Sequence, residues 1–271
     1  SFSRWPVAFG FVAILALVVT AAFAPFLAPY DPDLQALGNV LSQPTLEHLL
    51  GTDSLGRDTL SRLIYGARIT LMVGVVAVGI GAAVGTVLGL AAGFLGGWAH
   101  TVIMRFIDAL MAVPPLLFAL LMAALLGTGV QNVMIAVGLS LMPTYARLVC
   151  GQALSVREDE YVLAARAMGA NSLWIMWWHV LPNCLSPLMV QATMMMGVAI
   201  LIEASLSFLG VGIVPPTAAW GAMVSDGYRY LTTHPVLSFA PGLAVMVVVF
   251  GFNMLGDGLR DALDPRLRGA V

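Results

Sequence analysis

Six apolar stretches of 20 residues or more run through the sequence and leave few options for its fold. A helix needs about 20 apolar residues to cross the roughly 30 Å hydrocarbon core of a bilayer. Charged residues make up only 10% of the chain, against about 25% in soluble domains. The sequence therefore predicts an integral membrane protein with six transmembrane helices, at about 7–29, 69–95, 106–126, 130–149, 184–210 and 236–256.

All 12 basic residues are arginines, and the chain contains no lysine. The phosphate-binding loop GxxxxGK[ST] needs its lysine to reach the phosphates, and Schiff-base catalysis needs a lysine amine. The chain therefore cannot hydrolyse nucleotides through a P-loop of its own. Its net charge of −2 offers no basic surface for nucleic acid. We expect Cys150 and Cys184 to be packing residues, because neither has a CxxC or Cys/His spacing.

Polar segments between the apolar stretches divide the chain into four parts. Residues 1–29 contain the first span, which we predict to be retained because its flanks do not suit a cleaved signal. Residues 30–68 are predicted to be an extracytoplasmic connection, and 259–271 a cytoplasmic tail. The core, 69–258, holds five spans and a cytoplasmic loop at about 157–183.

The orientation follows from the arginines near the span ends. Eight of them lie on the cytoplasmic side and four on the other side if both termini are cytoplasmic. Arg57, Arg62 and Arg68 count against this orientation. Pairing with Asp53 and Asp58 would weaken their influence.

Five glycines recur at every fourth position in the second stretch: Gly81, Gly85, Gly89, Gly93 and Gly97. On a helix this spacing makes a smooth stripe against which another backbone can pack closely. Ordinary helix packing and a sliding interface both fit such a stripe. Pro114, Pro115 and Pro143 are expected to interrupt helical hydrogen bonding in the third and fourth stretches.

The loop at 157–183 reads REDEYVLAARAMGANSLWIMWWHVLPN. Acidic residues suit a helix start and Gly169 suits a helix stop, so a first helix is predicted before this glycine. A second helix is predicted from Ser172, as its N-cap, to His179, with three tryptophans on one face suited to a membrane surface. The pattern indicates a two-helix hairpin lying flat on the cytoplasmic side. It fits a surface that docks a partner and also a surface helix with no partner.

The pattern Ala164-Ala165-x-x-x-Gly169, then nine residues and His179-x-Leu181-Pro182, resembles the EAA loop of ABC importer permeases. Leu163 stands where that loop usually has Glu, and His179 where it usually has Ile. The resemblance implies that the loop docks into a cleft on a cytoplasmic ATPase subunit. The residues it assigns to this contact are Glu160, Tyr161, Leu163, Ala164, Ala165, Arg166, Ala167, Met168, Gly169, Ala170, His179, Leu181 and Pro182.

Three longer blocks, at 48–71, 203–223 and 252–269, are similar to the dipeptide/oligopeptide/nickel branch of these permeases, and specifically to its second, C-type subunit. The resemblance implies an all-α polytopic membrane protein with six transmembrane helices and the type I importer permease fold. It implies a bacterial inner-membrane location among lipid, a homologous second permease subunit, two ATPase subunits that bind ATP and Mg, and an extracytoplasmic solute-binding protein. No cofactor is expected in this chain. The implied cargo is short peptides, with nickel, a metal chelate, glutathione or an opine as alternatives.

Four residues are candidates for the pathway or an outer gate: Glu203, Ser205, Ser207 and Trp220. A carboxylate in a membrane span usually faces a cavity or a partner. Glu203 could therefore line the path and bind a substrate ammonium group, or form a structural hydrogen bond. Asp108 is predicted to pair with Arg105 at an interface. The loop 211–235 fits a contact with the binding protein, an outer gate, or a plain solvated loop.

Other functions find less support in the sequence. The four histidines are far apart and form no metal-binding pair, and we expect Met194, Met195 and Met196 to pack between helices. No catalytic residue is predicted, since motifs such as GxSxG and HExxH are missing, which argues against an intramembrane enzyme. A secondary transporter or channel would show internal repeats and a cluster of coupling-ion carboxylates, and neither is evident.

Overall fold

The computed structural model describes residues 4–263, and the regular elements in that range are helices. In chain order they are α1 (Arg4–Ala22), α2 (Ala24–Leu27), α3 (Thr59–Leu90), α4 (Gly97–Met111), α5 (Pro115–Leu126), α6 (Val130–Val156), α7 (Glu160–Ala167), α8 (Ser172–Ile175), α9 (Leu181–Phe208), α10 (Trp220–Tyr228) and α11 (Val236–Leu263). A short 3-10 turn covers Leu37–Asn39. π-Helical turns extend α3 over Ala91–Leu95 and join α8 to α9 over Met176–Val180.

Five helical runs within the described range are long and apolar enough to cross a membrane: Trp5–Ala22, Thr59–Leu95, Val130–Val156, Ser172–Phe208 and Val236–Leu263. Helices α4 and α5 make a sixth span when they are taken together, although they meet at 91°. The predicted all-helical, polytopic fold is confirmed.

The second span begins ten residues earlier than the predicted 69, at Thr59. Asp58 caps this helix, because its Oδ2 accepts a hydrogen bond of 2.7 Å from the backbone N–H of Ser61. Arg62 and Arg68 therefore lie in α3 and not in the connecting segment to which the sequence assigned them.

Two other helices are also longer than predicted, whereas the first is shorter. α6 continues to Val156 instead of ending near 149, and α11 continues to Leu263, so the predicted tail begins inside a helix. Residues 264–271 of that tail lie outside the described residues. The first span is shorter than predicted, since α1 ends at Ala22 and the short helix α2 follows.

The prolines that were expected to interrupt helices differ in their effect. Pro114 has an extended backbone (φ −55°, ψ 137°), as expected for a residue followed by proline, and α5 starts at Pro115. This produces the 91° bend, so the predicted 106–126 span is not one straight helix. Pro143 lies inside α6, which continues through it. A single missing N–H does not end a helix that is packed on several sides.

The bundle formed by the described helices has two ends, and each is marked by its own contacts between loops and helices. At one end, which we call the hairpin end, the Arg157 guanidinium donates to the Gly93 carbonyl at 3.2 Å. The start of α1 packs against the C-terminal half of α11, where a methyl group on Gly258 would lie 2.4 Å from Val7. At the other end, the loop end, Gln43 Nε2 donates to the Thr233 carbonyl at 3.0 Å. The described parts of α1 and α11 therefore reach the same end as the 157–183 segment.

Among the described helices, α3 and α6 share the most extensive contact. A methyl group placed on Gly85 would lie 2.6 Å from the Met142 carbonyl oxygen, and one on Gly89 would lie 2.5 Å from the Ala146 carbonyl oxygen. Gly81 and Gly93 face α6 at similarly short range. Gly97 does not belong to this stripe, because it starts α4 and has no neighbour near its missing side chain. The two helices run parallel, so this contact extends through the depth of the bundle.

A buried polar cluster holds the loop end together. Asp53 accepts from Arg57 Nε at 2.6 Å, and its Oδ2 lies 3.7 Å from Arg62 Nε. Arg62 also donates to the Pro216 carbonyl at 3.2 Å, which ties α3 to the loop after α9. Asp58 faces His48 Nδ1 at 2.9 Å instead of an arginine. Two of the three arginines that oppose the predicted orientation are thus paired, both with Asp53.

Candidate coupling surface

The 157–183 segment is anchored on the end of the α3–α6 pair. Val162 and Ala165 of α7 are buried in an apolar cluster with Phe94 and Val149. Ile175, at the end of α8, belongs to the same cluster. Burial of these side chains on one face leaves the other face of α7 on the surface, which is the pattern of an amphipathic helix.

Gly169 ends α7 as predicted, with a left-handed backbone (φ +84°). Its N–H donates to the Arg166 carbonyl at 2.9 Å, and the Ala170 N–H donates to the Ala165 carbonyl at 3.1 Å. These two bonds define a Schellman motif, which favours glycine at its left-handed position. The turn after α7 is therefore fixed by backbone hydrogen bonds.

The second helix of the segment differs from the prediction in two ways. Its N-cap is Asn171, whose Oδ1 accepts from the Leu173 N–H at 3.0 Å, and not Ser172. It also does not stop near His179, because the π-helical turn Met176–Val180 carries it directly into α9. A single continuous helical run, Ser172–Phe208, therefore connects this surface with the loop end of the bundle.

Around the turn, the exposed face of the segment carries apolar side chains, several of which are small. Ala164, Ala167 and Gly169 are exposed, Leu163 is 46% exposed and Met168 is 82% exposed. Leu163, which stands where the EAA loop usually has Glu, thus exposes an apolar side chain at the surface. Such a face suits insertion into a groove, because small side chains allow close approach.

Tyr161 and His179 link α7 to the π-helical turn. Their ring centroids lie 5.8 Å apart, and the Tyr161 hydroxyl accepts from Asn183 Nδ2 at 3.1 Å. Burial, and after it the charge of Asp159, raises the pKa of the Tyr161 hydroxyl above its usual value.

Arg166 connects the segment to α3. Its guanidinium carbon lies 4.7 Å from the centroid of the Phe94 ring, a cation–π contact. Arg157 binds Glu158 at 2.8 Å as well as the Gly93 carbonyl. A force applied to the exposed face near Gly169 would thus reach both α9 and the end of α3.

The predicted pathway residues lie mostly inside the packed bundle. Glu203 is 1% exposed and accepts from Ser207 Oγ at 2.8 Å. Ser207 Oγ in turn accepts from the Ile213 N–H at 3.0 Å, which fastens the loop after α9. The contacts of Glu203 are those of the structural hydrogen bond considered above. Ser205 is half-buried and donates to the Leu201 carbonyl at 2.7 Å on its own helix.

Trp220 is 3% exposed and packs across α3. Its indole Nε1–H donates to the Leu63 carbonyl at 2.9 Å. A methyl group on Gly66 would lie 2.5 Å from the indole ring, so this glycine makes the seat for the tryptophan. The side chain thus joins α10 to α3 and is almost wholly covered by its neighbours.

Asp108 pairs with Arg147 of α6, and not with Arg105 as predicted. Arg147 was missed as a site residue because its partner lies 39 positions away. The sequence does contain a pattern that places Arg147 on a polar face of a helix. Polar or small residues follow helical spacing along α6, at Ser140, Thr144, Arg147, Gly151 and Ser155. Within residues 4–263, no three His, Cys, Asp or Glu side chains converge as a metal site requires.

The bundle of closely packed helices long enough to cross a membrane defines a polytopic membrane protein. The chain belongs to the family of binding-protein-dependent transport system inner membrane components, whose model matches residues 85–269. A second model, the N-terminal transmembrane domain of oligopeptide transport permease C, matches residues 2–44. The resemblance to C-type importer permeases predicted from the sequence is confirmed.

Curated relatives match nearly the whole chain. The dipeptide transport system permease protein DppC of Alkalihalophilus pseudofirmus is 42% identical over 96% of this chain and 85% of its own length. The glutathione transport system permease protein GsiD of Escherichia coli is 45% identical over 94% of this chain and 85% of its own. The di/tripeptide transport system permease protein DppC of Pseudomonas aeruginosa is 43% identical over 97% and 88%.

The fold is also similar to a solved structure. An inward-facing MetNI methionine ABC transporter chain superposes with a TM-score of 0.59 at 15% identity, over 75% of this chain and 96% of that one. This likeness supports the importer permease fold predicted from the sequence.

Proposed function

We propose that this chain is one permease subunit of an ATP-driven, binding-protein-dependent importer of short peptides. It forms half of the translocation path, and a homologous second permease subunit forms the other half. An extracytoplasmic binding protein delivers the substrate at the loop end. Two ATPase subunits bind ATP and Mg at the hairpin end, which faces the cytoplasm.

The direct helical link between the 157–183 segment and α9 carries this proposal. The exposed face around Gly169 is positioned to dock an ATPase, and the Schellman turn and Arg166 hold it rigidly. When nucleotide binding moves the ATPases, α9 and the close α3–α6 pair move with the docked surface as packed units. Rigid helices that have two stable arrangements can convert such a motion into alternating access.

The composition of the chain fits a subunit that is driven by ATP hydrolysis in its partner subunits. Without a lysine it has no P-loop of its own, so hydrolysis falls to the partner subunits. The orientation rests on the arginine distribution, and pairing of Arg57 and Arg62 with Asp53 reduces the weight of the opposing charges.

Peptides are the proposed cargo because two of the relatives above are named as dipeptide or di/tripeptide permeases. Glutathione is the second candidate, since relatives of equal similarity are named for it. Glutathione is itself a peptide with free carboxylates and an ammonium group, so both candidates present the same charged groups to the path.

Replacement of Ala164 by Trp tests the docking role. The side chain is exposed, so Ala164→Trp should leave insertion and assembly intact while blocking entry into the ATPase cleft. In vesicles containing the complete importer, we expect dipeptide uptake to fall by about tenfold or more, with ATP hydrolysis no longer stimulated by the binding protein. The matched control is Ala8→Trp on the exposed face of α1. Uptake by Ala164→Trp equal to that of the control would contradict the proposal.

A further inference from the structure

A half-exposed ion pair joins two helices within the candidate membrane spans. Asp108 of α4 and Arg147 of α6 bind each other, with side chains 49% and 53% exposed. Asp108 comes 11 residues after the start of α4, and Arg147 nine before the end of α6. At 1.5 Å per residue, both lie about 14–16 Å along their helices from the hairpin end. Both residues lie within candidate membrane spans, Arg147 in Val130–Val156 and Asp108 in the bent pair formed by α4 and α5.

Neither charge is expected to face lipid at that depth. Ionisable side chains inside a membrane face a protein partner or a water-filled cavity, because hydrocarbon cannot solvate them. Half of each side chain is uncovered in the single subunit, so the assembly must provide water or protein at this face.

Exposed polar and small residues continue from the pair along one face of α6. Arg147, Gly151 and Ser155 are exposed and follow one another at helical spacing toward the hairpin end. A methyl group on Gly151 would meet nothing within 4 Å. In the other direction, Thr144 lines a cavity of about 110 Å³ at the bend between α4 and α5. The polar face of α6 therefore runs from the edge of this cavity at Thr144, past the ion pair, to the hairpin end.

We propose that Asp108 and Arg147 line the translocation path and bind the opposite charges of a zwitterionic substrate, the ammonium group at Asp108 and the carboxylate at Arg147. This assignment rests on the proposed importer function. A guanidinium matches a carboxylate in shape and hydrogen bonding. In the empty path the two side chains neutralise each other. A solute that carries both charges can exchange with this pair without leaving either side chain unpaired, whereas a singly charged solute leaves one charge uncompensated.

The double variant Asp108→Asn/Arg147→Gln removes both charges, retains hydrogen-bonding groups of similar size, and leaves no unpaired charge. In vesicles containing the complete importer and its binding protein, we expect uptake of a dipeptide with free termini to fall by about tenfold. Stimulation of ATP hydrolysis by the binding protein should stay within about twofold of the parent, since the docking surface is unchanged. Uptake at the parent rate would overturn the subsite. Failure of the parent itself to couple ATP hydrolysis to uptake would overturn the importer function instead.

Thiol labelling separates a wet path from a face covered by the second permease subunit. Thr144→Cys places a thiol one turn from Arg147, and Leu15→Cys places one at an exposed apolar position on α1. The parent chain gives the background, because Cys150 and Cys184 are buried. We expect a charged, membrane-impermeant methanethiosulfonate to label Thr144→Cys in the assembled importer, and a free dipeptide to slow this labelling. Labelling no faster than that of Leu15→Cys would show a covered face and overturn the proposal.

Discussion

The carbonyl oxygen of Met142 occupies the space beside Gly85 so closely that a methyl group there would lie 2.6 Å from it. The Tyr145 Cβ lies equally near that position. Backbone therefore packs on backbone where α3 meets α6. In a membrane, where apolar burial does not drive helices together, this contact is a main source of cohesion.

Gly85→Ala should loosen the α3–α6 pair. The added methyl group overlaps backbone atoms that cannot move independently, and overpacking of this kind costs about 1–3 kcal/mol. Gly79→Ala is the matched control, because it lies on the same helix with nothing within 4 Å. Thermal unfolding in detergent, followed by tryptophan fluorescence, should show a lower midpoint only for Gly85→Ala. Equal midpoints would mean that the glycine stripe does not hold the two helices.

The turn after α7 should depend on backbone conformation and not on space at Gly169. Apart from the adjacent residues, no atom lies within 4 Å of a Cβ placed there, yet its φ is +84°. A β-branched residue in this conformation costs about 1–2 kcal/mol, whereas asparagine adopts it readily. We expect Gly169→Val to reduce coupled peptide uptake and Gly169→Asn to retain most of it. If the two variants transport equally well, the Schellman geometry has no part in coupling.

Trp220 should act as a packing residue and not as a gate. Trp220→Phe keeps most of the buried ring but removes the indole N–H bond to the Leu63 carbonyl, a loss of about 0.5–1.5 kcal/mol. The unfolding midpoint should fall relative to Trp178→Phe, whose indole is 68% exposed. Uptake per folded importer should stay near the parent value. Lost uptake with an unchanged midpoint would instead favour an outer gate.

Local sequence patterns predicted much of the fold. The packing stripe could be predicted because all four of its glycines belong to one helical run: Gly81, Gly85, Gly89 and Gly93. Gly97 has the same spacing but follows the positive-φ turn at Gly96, where the chain leaves α3. Spacing alone does not reveal where a helix ends.

Long-range pairing limited the rest of the prediction. The start of α3 was missed because Arg62 looks too polar for a span, while Asp53 and the Pro216 carbonyl bind it in the folded chain. The partner of Asp108 was assigned to a near neighbour on its own helix, although Arg147 reaches it from α6. Such contacts depend on which helices become neighbours, and hydropathy does not carry that information.

Cross-linking from Met168 tests the central claim most directly. This side chain is 82% exposed and follows the helix that we propose to dock. A photoreactive amino acid at this position, in the complete importer within its membrane, should form a covalent product with an ATPase subunit, and the same residue at Leu15 should not. Products with lipid alone from position 168, in an importer that still transports peptide, would contradict the claim that this surface receives the motion of the ATPase.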